Sequence, residues 1–349
     1  MRADRPAAGR YRGGMADLTV VTPVQARLDL AYDSRSPRLR ALYERAKQAQ
    51  WNASTDVDWS LPVPFGEALP DDSAYAMASF AASPLARRGR PMWDAFRWEL
   101  QSWMVSQFLH GEQGALVVAA RLVEATPTLD SKFYAASQAG DEARHVEVFS
   151  RYLREKLPAA GYPMAAPLGA LLTDILSDSR WDVTALGMQV MVEALAMAAF
   201  RLAGSTFHDD LIKQITRLVA RDEARHVSFG VLCLEGLYAE MSSAELADRE
   251  ELVLAAADLT RRRFLLEDVW DRLDVPRREG VEFASTDAMM VRYRQAVFAK
   301  VVTVLSGIGL LTDRVRDGLV RLDLLRPDLL RSAGGPRPPA GVQPVRVRT

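Results

Sequence analysis

The chemically most informative feature of the sequence is a short motif that occurs twice. The pentapeptide Asp-Glu-Ala-Arg-His occupies positions 141–145 and again positions 222–226, an offset of 81 residues. A further glutamate precedes each copy, Glu112 lying 30 positions before Glu142 and Glu193 lying 30 positions before Glu223. Carboxylates and imidazoles are ligands that divalent transition metals accept. The repeat therefore predicts a metal site.

The spacing of the glutamates predicts how helices bring them together. The midpoint between the two glutamates falls at Pro127 in the first half and at His208 in the second. An antiparallel helical hairpin that turns at each midpoint places its two glutamates at one depth, about 22 Å from the turn at 1.5 Å per residue. Within each motif the glutamate and the histidine are three positions apart, so they share one face of a helix.

Two metal ions would balance the negative charge of the four glutamates that this arrangement brings together. Four buried carboxylates without compensation are very unfavourable in a low-dielectric interior. Two divalent ions neutralise them, and with two imidazoles each ion gains three protein ligands plus bridging oxygens, with positions left open for dioxygen or substrate. A glutamate from each of two helices and Glu-x-x-His from each of two others form such a constellation. The predicted ligands are Glu112, Glu142, His145, Glu193, Glu223 and His226.

The other charged residues of the motif predict a supporting layer. A metal-bound imidazole usually donates its second N–H to a carboxylate. The aspartate of each motif would thus orient the histidine of the other motif across the bundle, and the arginines would hold the aspartates. The alternative is that these four residues are ordinary exposed helix charges. They are Asp141, Arg144, Asp222 and Arg225.

Helical periodicity runs through most of the chain, and alternating strand-like runs are hard to find. The predicted fold is all-α, a four-helix bundle with additional flanking helices. The bundle helices are predicted at 92–124, 131–156, 182–203 and 209–240, and further helices at 39–50, 73–82, 243–272 and 286–325.

The predicted organisation has five parts. Residues 1–22 form a disordered leader, with Met15 as an alternative start to Met1, and residues 23–91 form a cap of helices and loops. Residues 92–240 form the dimetal bundle, and residues 241–330 form C-terminal helices packed on it. Residues 331–349, rich in proline, glycine and arginine, form a disordered tail.

The pattern of a glutamate, 28 residues and then Asp-Glu-x-Arg-His, present twice, resembles that of the ferritin-like non-haem di-iron oxygenases. It is most similar to the p-aminobenzoate N-oxygenase group, over about residues 98–236. The resemblance implies that the six ligands bind two irons and that the reduced site reacts with dioxygen. The same ligand set also serves bacterial multicomponent hydroxylases, acyl-carrier-protein desaturases and ribonucleotide reductase small subunits.

At some positions this sequence has other residues than the families that it resembles. The arylamine N-oxygenases have a third histidine one turn before the second motif glutamate, where this sequence has Val219, so six protein ligands are expected. Radical-storing reductase subunits place a tyrosine four residues after the motif histidine, where this sequence has Phe149 and Gly230. One cysteine, Cys233, excludes the four-cysteine iron site of rubrerythrins.

These features predict a di-iron monooxygenase that uses dioxygen to hydroxylate or N-oxygenate a small organic molecule, such as an arylamine or a carrier-bound substrate. An external electron donor of ferredoxin or reductase type would supply electrons. A mixed Mn/Fe cofactor is an alternative because both metals accept these ligands. A di-iron desaturase or oxidase is the alternative enzyme, and a non-catalytic metal-binding or ferroxidase protein is the alternative of another class.

Side chains that lie one helical turn from a predicted metal ligand are candidates to face a substrate. For the apolar ones, ordinary bundle core is the alternative. Gln189 differs, because a buried amide needs a partner that a substrate or a bridging water would supply. The candidates are Phe108, Leu116, Phe149, Gln189, Met197 and Phe229.

Composition limits the partners. The 44 basic and 45 acidic side chains leave a formal charge of -1, which argues against nucleic acid. No uninterrupted apolar run reaches the roughly 18 residues that a membrane span needs, and a single cysteine favours the cytoplasm. The flanking helices suggest a homodimer surface. Arginine clusters at 87–90, 261–263 and 277–278 are either solvated or dock an acidic electron donor or carrier protein.

Overall fold

The computed structural model describes residues 18–22, 26–71, 73–157 and 160–326, and within these ranges the chain forms helices and loops without a strand. The predicted all-α fold is confirmed. In chain order the helices are α1 (Pro37–Gln48), α2 (Ala74–Ala82), α3 (Arg90–Ala125), α4 (Leu129–Lys156), α5 (Ala166–Ser177), α6 (Trp181–Thr206), α7 (Asp210–Leu234), α8 (Ser243–Arg263), α9 (Glu267–Arg272), α10 (Arg277–Thr286), α11 (Ala288–Gly307) and α12 (Asp313–Arg321).

Two helical hairpins make the bundle. Helix α3 pairs with α4, α6 pairs with α7, and α4 also contacts α7. The turns contain Pro127 and His208, as the midpoints of the glutamate spacing predict. Each second helix starts at a side-chain cap, because Thr128 accepts a hydrogen bond from the Ser131 amide and Asp209 accepts one from the Ile212 amide. Residues 128 and 209 keep the 81-residue offset, so the repeat includes the caps.

The C-terminal part contains more breaks than the sequence analysis predicted. The helix predicted at 209–240 ends at Leu234, because Gly236 adopts a left-handed conformation with φ of 79°. The helix predicted at 243–272 breaks at Leu266, whose φ is 60° and whose side chain is buried. The helix predicted at 286–325 is two helices, separated at Gly309 (φ 81°) and restarted by the Thr312 cap.

Two local features were missed by the sequence analysis. Helix α5 lies in a stretch to which no helix was assigned, although Pro167 in its first turn and its apolar spacing are helix signals. Helix α6 contains a π-helical segment at Leu186–Val192, directly before Glu193. Such segments are rare and occur often at functional sites. Helix α8 packs against both α5 and the π-helical segment.

Helix α6 is also the most apolar of the long helices. Among the described residues, it alone is long and apolar enough to cross a membrane by length and average hydropathy, which the sequence analysis did not anticipate. Its position explains this composition, because 83% of that apolar window is buried inside the protein. A helix that is apolar on all sides is expected in a bundle core.

The flanking elements cover the bundle. Helix α1 packs against α4 and α7, the two helices that carry the motif. Trp93 and Phe96 of α3 stack with a ring-centroid distance of 5.2 Å, and Phe96 stacks on Trp270 of α9 at 5.0 Å. The predicted tail and residues 1–17 of the predicted leader lie outside the described residues, and residues 18–22 are irregular.

Gly230 lets α7 approach the π-helical segment closely. A Cβ atom at this position would lie 2.4 Å from Cβ of Gln189, far inside van der Waals contact. The approach brings the segment that precedes Glu193 against the helix that carries Glu223 and His226.

We expect Gly230→Ala to lower the free energy of unfolding by roughly 1–3 kcal/mol, the usual cost of overpacking a core. Urea unfolding followed by helical circular dichroism would measure it. Gly140→Ala is the matched control, because Gly140 is exposed within α4 and its new Cβ would meet nothing within 4 Å. That control should raise stability by up to about 1 kcal/mol. Equal effects of the two substitutions would contradict the close approach.

Candidate dimetal site

The structure brings the six predicted ligands together at one level of the bundle. Each of the four long helices contributes a glutamate, and α4 and α7 each add a histidine. All six residues are buried, none being more than 4% exposed. They are Glu112 on α3, Glu142 and His145 on α4, Glu193 on α6, and Glu223 and His226 on α7.

The six residues form two overlapping sets of ligand atoms, and in each set the atoms lie within 4.8 Å of one another. Glu142 and Glu223 belong to both sets. The first set is completed by Glu112 and His145, and the second set by Glu193 and His226. The cluster is therefore able to bind two metal ions, with two carboxylates shared between them.

Distances within the cluster show how the shared carboxylates lie. One oxygen of Glu142 is 3.2 Å from Nδ1 of His145, and the other is 3.1 Å from Nδ1 of His226. The oxygens of Glu223 lie 3.3 Å and 3.5 Å from the same two nitrogens. Each shared carboxylate thus spans the two halves of the site, as a bridging ligand must.

The second nitrogen of each histidine points to an aspartate of the other motif. Nε2 of His145 lies 3.2 Å from Oδ2 of Asp222, and Nε2 of His226 lies 3.2 Å from Oδ2 of Asp141. Because an ionised aspartate only accepts hydrogen bonds, Nε2 is the donor in both contacts. Nδ1 of each ring, which faces the glutamates, is then the nitrogen free to bind a metal.

The two motif arginines tie the aspartates together. Arg144 pairs with Asp141 of its own motif and lies 3.3 Å from Asp222. Arg225 pairs with Asp222 of its own motif and lies 3.5 Å from Asp141. The four residues form a closed ring of two positive and two negative charges, which stabilises both aspartates in the ionised form.

Two neighbouring residues that the sequence analysis missed complete this layer. Gln50 donates through Nε2 to Asp141 at 2.9 Å, and Trp51 donates through its indole nitrogen to Asp222 at 2.8 Å. The Trp51 ring also lies against His145, with ring centroids 6.4 Å apart. Both lie within three residues of the end of α1, so the cap helix positions one donor for each half of the site. Their sequence context offered no signal.

The ionisation of the cluster is dominated by burial and mutual repulsion. Burial raises the pKa of Glu112 and Glu193 well above the ordinary value, and repulsion from Glu223 adds to this. Burial also opposes ionisation of Glu142, but His226 and His145 outweigh it and lower its pKa. Burial likewise opposes protonation of the two histidines, but the surrounding carboxylates raise the pKa of both. The four glutamates would therefore be ionised together only with additional positive charge among them.

Several polar atoms of the cluster have no hydrogen-bond partner among the described residues. They include both carboxylate oxygens of Glu223 and Nδ1 of His226, all deeply buried, whose contacts of 3.1–3.5 Å within the cluster lack hydrogen-bond geometry. Buried polar atoms without a partner need a ligand. Oxygen and imidazole donors at this spacing suit divalent first-row metals. The residues therefore fit a pair of such ions.

The two halves differ one turn before the motif glutamate. Gln138 of α4 is fully buried, and its Nε2 donates to Glu142 at 2.9 Å and to Glu193 at 3.2 Å. The equivalent position of α7 is Val219, which is also fully buried. The two halves of the repeat are therefore not equivalent at this position.

A small cavity of about 30 Å³ adjoins the site. Glu112 and Glu193 lie on its wall, together with side chains from α3, α5, α6 and α8. A cavity of this size has room for about one water molecule. The residues with the clearest chemical character on its wall are Gln107, Phe108, Thr260 and Arg263.

Of the six predicted substrate-facing residues, Phe108 lines this cavity, and the other five lie outside the residues that line it. Phe149 packs with Phe108 at a centroid distance of 5.7 Å, and Phe229 stacks on Tyr134 at 4.6 Å. These aromatic contacts fill the core.

The remaining three candidates have different surroundings. Leu116 is half-buried, and Met197 faces a surface cavity formed with α1, α7 and α11. Gln189 is fully buried, and neither its amide nitrogen nor its amide oxygen has a hydrogen-bond partner among the described residues. Arg263 also lines the small cavity beside Glu112 and Glu193. It belongs to the arginine cluster at 261–263, which the sequence analysis assigned to the surface.

Comparison with solved structures identifies the fold. Two variants of an R2-like ligand-binding oxidase, each with an anaerobically reconstituted Mn/Fe cofactor, superpose with TM-scores of 0.51 and 0.50 at 18% and 17% identity. Each alignment covers 80% of this chain and 96% or 95% of the other. The fold is ferritin-like. No protein-family model matches the chain, and no curated protein is significantly similar to it.

The shared carboxylates of this ferritin-like bundle predict the effect of removing them. We expect the wild-type protein to retain two metal ions per chain after anaerobic iron loading and desalting, and Glu142→Ala/Glu223→Ala to retain none. Elemental analysis would measure the stoichiometry. Glu147→Ala is the control. It changes an exposed glutamate of α4, the helix of Glu142, and should retain two ions. Two ions in the folded double variant would show that the metals bind elsewhere.

The contacts between the aspartates and the histidines predict that replacing an aspartate lowers metal affinity without abolishing it. Asp141→Asn removes an ionised acceptor from Nε2 of His226, and we expect metal affinity to fall by about 10- to 100-fold. Competition with a chelator would measure the affinity, with circular dichroism as the check of folding. Asp210→Asn, at an exposed aspartate of α7, is the control. An affinity within about twofold of the wild type would argue against an orienting role for Asp141.

Proposed function

We propose that the protein is a dimetal enzyme that uses dioxygen to oxidise a small organic substrate, with two irons or a Mn/Fe pair held by the six ligands. The observation that carries the proposal is the pair of buried ligand sets that share Glu142 and Glu223. The ferritin-like fold agrees with it. A bound pair of such metals, once reduced, activates dioxygen for two-electron oxidation.

The residues of the chain have distinct tasks in this proposal. Glu142 and Glu223 would bind both ions, and the other two glutamates, Glu112 and Glu193, line the cavity. The aspartate and arginine ring keeps both histidines in the tautomer that presents Nδ1. Phe108 and its apolar neighbours restrict the cavity to about 30 Å³, and so small a space keeps bulk water away from the site, which strengthens electrostatic interactions there and limits side reactions.

The reaction that we propose is monooxygenation, either C–H hydroxylation or N-oxygenation. One oxygen atom enters the substrate, and the other is reduced to water with two electrons and two protons. The electrons come from an external donor of ferredoxin or reductase type. Val219, which stands where the arylamine N-oxygenases have a further histidine, gives no support to N-oxygenation over hydroxylation. We further expect a cytoplasmic homodimer.

Isotope-labelled dioxygen tests the proposal directly. Anaerobically iron-loaded, reduced protein is mixed with ¹⁸O₂ and a panel of arylamines, hydrocarbons and acyl compounds, and the products are analysed by mass spectrometry. We expect one ¹⁸O atom in a product, and no product with Glu142→Ala/Glu223→Ala.

The other outcomes separate the alternatives. Loss of two hydrogens without oxygen gain would indicate a desaturase or oxidase. Dioxygen consumption in proportion to iron, unaffected by every organic compound, would indicate a ferroxidase. Absence of bound metal or of dioxygen consumption would overturn the proposal.

A further inference from the structure

Helix α7 carries a stripe of basic residues that repeats at every fourth position. Because residues four apart are neighbours on the surface of a helix, the side chains lie in one row, about 18 Å long at 1.5 Å per residue. The two central residues are exposed, and the two outer ones are half-buried. The stripe consists of Lys213, Arg217, Arg221 and Arg225.

The stripe is unfavourable for the helix that carries it. Like charges four positions apart on a helix repel each other and lower its stability. Lys213 pairs with Asp210 at 3.4 Å and Arg225 pairs with Asp222, but no carboxylate of the described residues pairs with Arg217 or Arg221. The stability of α7 therefore does not explain the two exposed arginines.

The first half of the repeat shows that the bundle does not require these two charges. At the offset of 81 residues, Ala136 and Gly140 of α4 occupy the positions of Arg217 and Arg221, and both are exposed. The predicted ligands and the motif aspartates and arginines are the same in both halves. The stripe thus belongs to one side of the bundle and is independent of the metal ligands.

The stripe lines a groove of about 800 Å³ between α6 and α7. Arg201 of α6, which is exposed and has no ion pair within the described part of the chain, lines the same groove. Arg201 also lines a neighbouring cavity of about 460 Å³, where Arg45 of α1 and Lys300 of α11 add further positive charge. Asp210 is the one acidic residue on either wall. Since the whole chain carries 44 basic and 45 acidic side chains, positive charge is concentrated on this face.

The C-terminal end of the stripe reaches the layer that supports the metal site. Arg225 lies on the wall of the groove and donates to one carboxylate oxygen of Asp222. The other oxygen of Asp222 lies 3.2 Å from Nε2 of His145, a predicted metal ligand. Two side chains therefore separate the groove from a ligand, and a partner in the groove would lie close to the metals.

We propose that this groove is the docking surface for an acidic electron-transfer protein of ferredoxin type. The inference rests on the proposed function, which needs two electrons from outside the chain. Complementary charge steers a partner to its interface and fixes its orientation. Because the positive charge extends about 18 Å along α7 and continues into the second cavity, it matches a protein surface better than a small anion. Each reduced donor leaves oxidised by one electron, so two donor molecules reduce two metal ions by one electron each.

The first test measures binding of a plant-type 2Fe–2S ferredoxin, a small acidic protein, to the full chain by titration calorimetry, with and without iron. We expect Kd to rise at least about tenfold between roughly 20 and 200 mM salt, because salt screens the attraction. Arg217→Ala/Arg221→Ala should weaken binding about tenfold at low salt.

The matched control is Arg87→Ala/Arg278→Ala, which removes the same charge. It changes one exposed arginine in each of two other clusters that the sequence analysis considered for docking. We expect this variant to bind ferredoxin as the wild type does. An equal loss of affinity in the two double variants would overturn the inference, because attraction would then depend on the charge of the whole molecule.

Electron delivery gives a second readout. Iron-loaded, oxidised protein is mixed anaerobically with reduced ferredoxin in a stopped-flow instrument, and the absorbance of both proteins is followed. We expect Arg217→Ala/Arg221→Ala to be reduced about tenfold more slowly at low salt. Reduced methyl viologen, a small cationic reductant, should reduce this variant and the wild type at rates within about twofold of each other. Equal rates with ferredoxin would contradict docking in the groove.

Urea unfolding separates docking from a role in the fold. Because the substitutions relieve repulsion between like charges, the urea midpoint of Arg217→Ala/Arg221→Ala should be unchanged or higher. A lower midpoint would show that the two arginines serve the fold and would overturn the inference. Arg201→Gln, on the other helix of the groove, provides the same binding comparison if the double variant does not fold.

The remaining outcomes concern the occupant of the groove and the metals. Absence of ferredoxin binding, or binding that salt does not weaken, would overturn the inference. Binding of inorganic pyrophosphate in place of ferredoxin, lost in Arg217→Ala/Arg221→Ala, would make the groove a site for small anions and would also overturn it.

Metal analysis of the same samples keeps the two proposals apart. If the protein retains two metal ions but ferredoxin binding does not depend on the stripe, the docking inference fails and the proposed function stands. If the protein retains no metal, the proposed function fails, and binding to the iron-free protein still decides whether the groove docks an acidic protein.

Discussion

Charge compensation in a buried space is the constraint on which the rest of the structure depends. Four glutamates meet at one level of the bundle, each nearly inaccessible to solvent, and such a group carries its full negative charge only with cations among it. The histidines, the crossed aspartates and the arginines are arranged around that requirement. Each histidine donates to an aspartate, and each aspartate pairs with an arginine, so the arrangement ends in a ring of opposite charges.

The helices serve this arrangement by fixing depth and direction. The two hairpins bring the glutamates level, and the three-residue spacing within each motif turns a histidine to the same face. Helix α1 contributes from outside the bundle, because its end places Gln50 against one aspartate and Trp51 against the other. The cap is thus part of the site and not only a cover.

The repeat made the bundle and the six clustered residues predictable, since spacing along a helix converts directly into position in space. The crossed contacts between Asp141, Asp222 and the histidines are present in the structure for the same reason. The cavity wall was not predictable in this way. Phe108 lies one helical turn before the predicted metal ligand Glu112 on the same helix. Thr260 and Arg263, by contrast, come from α8, whose position depends on how α5 and the π-helical segment pack. No local spacing encodes a contact between helices distant in sequence.

The difference between Gln138 and Val219 breaks the twofold symmetry of the site. Both ions would have one histidine, one terminal glutamate and two shared glutamates, yet the amide of Gln138 donates to Glu193 and Glu142 without a counterpart in the other half. A hydrogen bond to a ligand oxygen withdraws electron density from it and weakens its donation to a metal. The two positions would then differ in affinity and in reduction potential although their ligand sets are identical. The two metal positions of the repeated hairpin would therefore be distinguishable. Distinguishable positions can be filled in a fixed order or with two different metals.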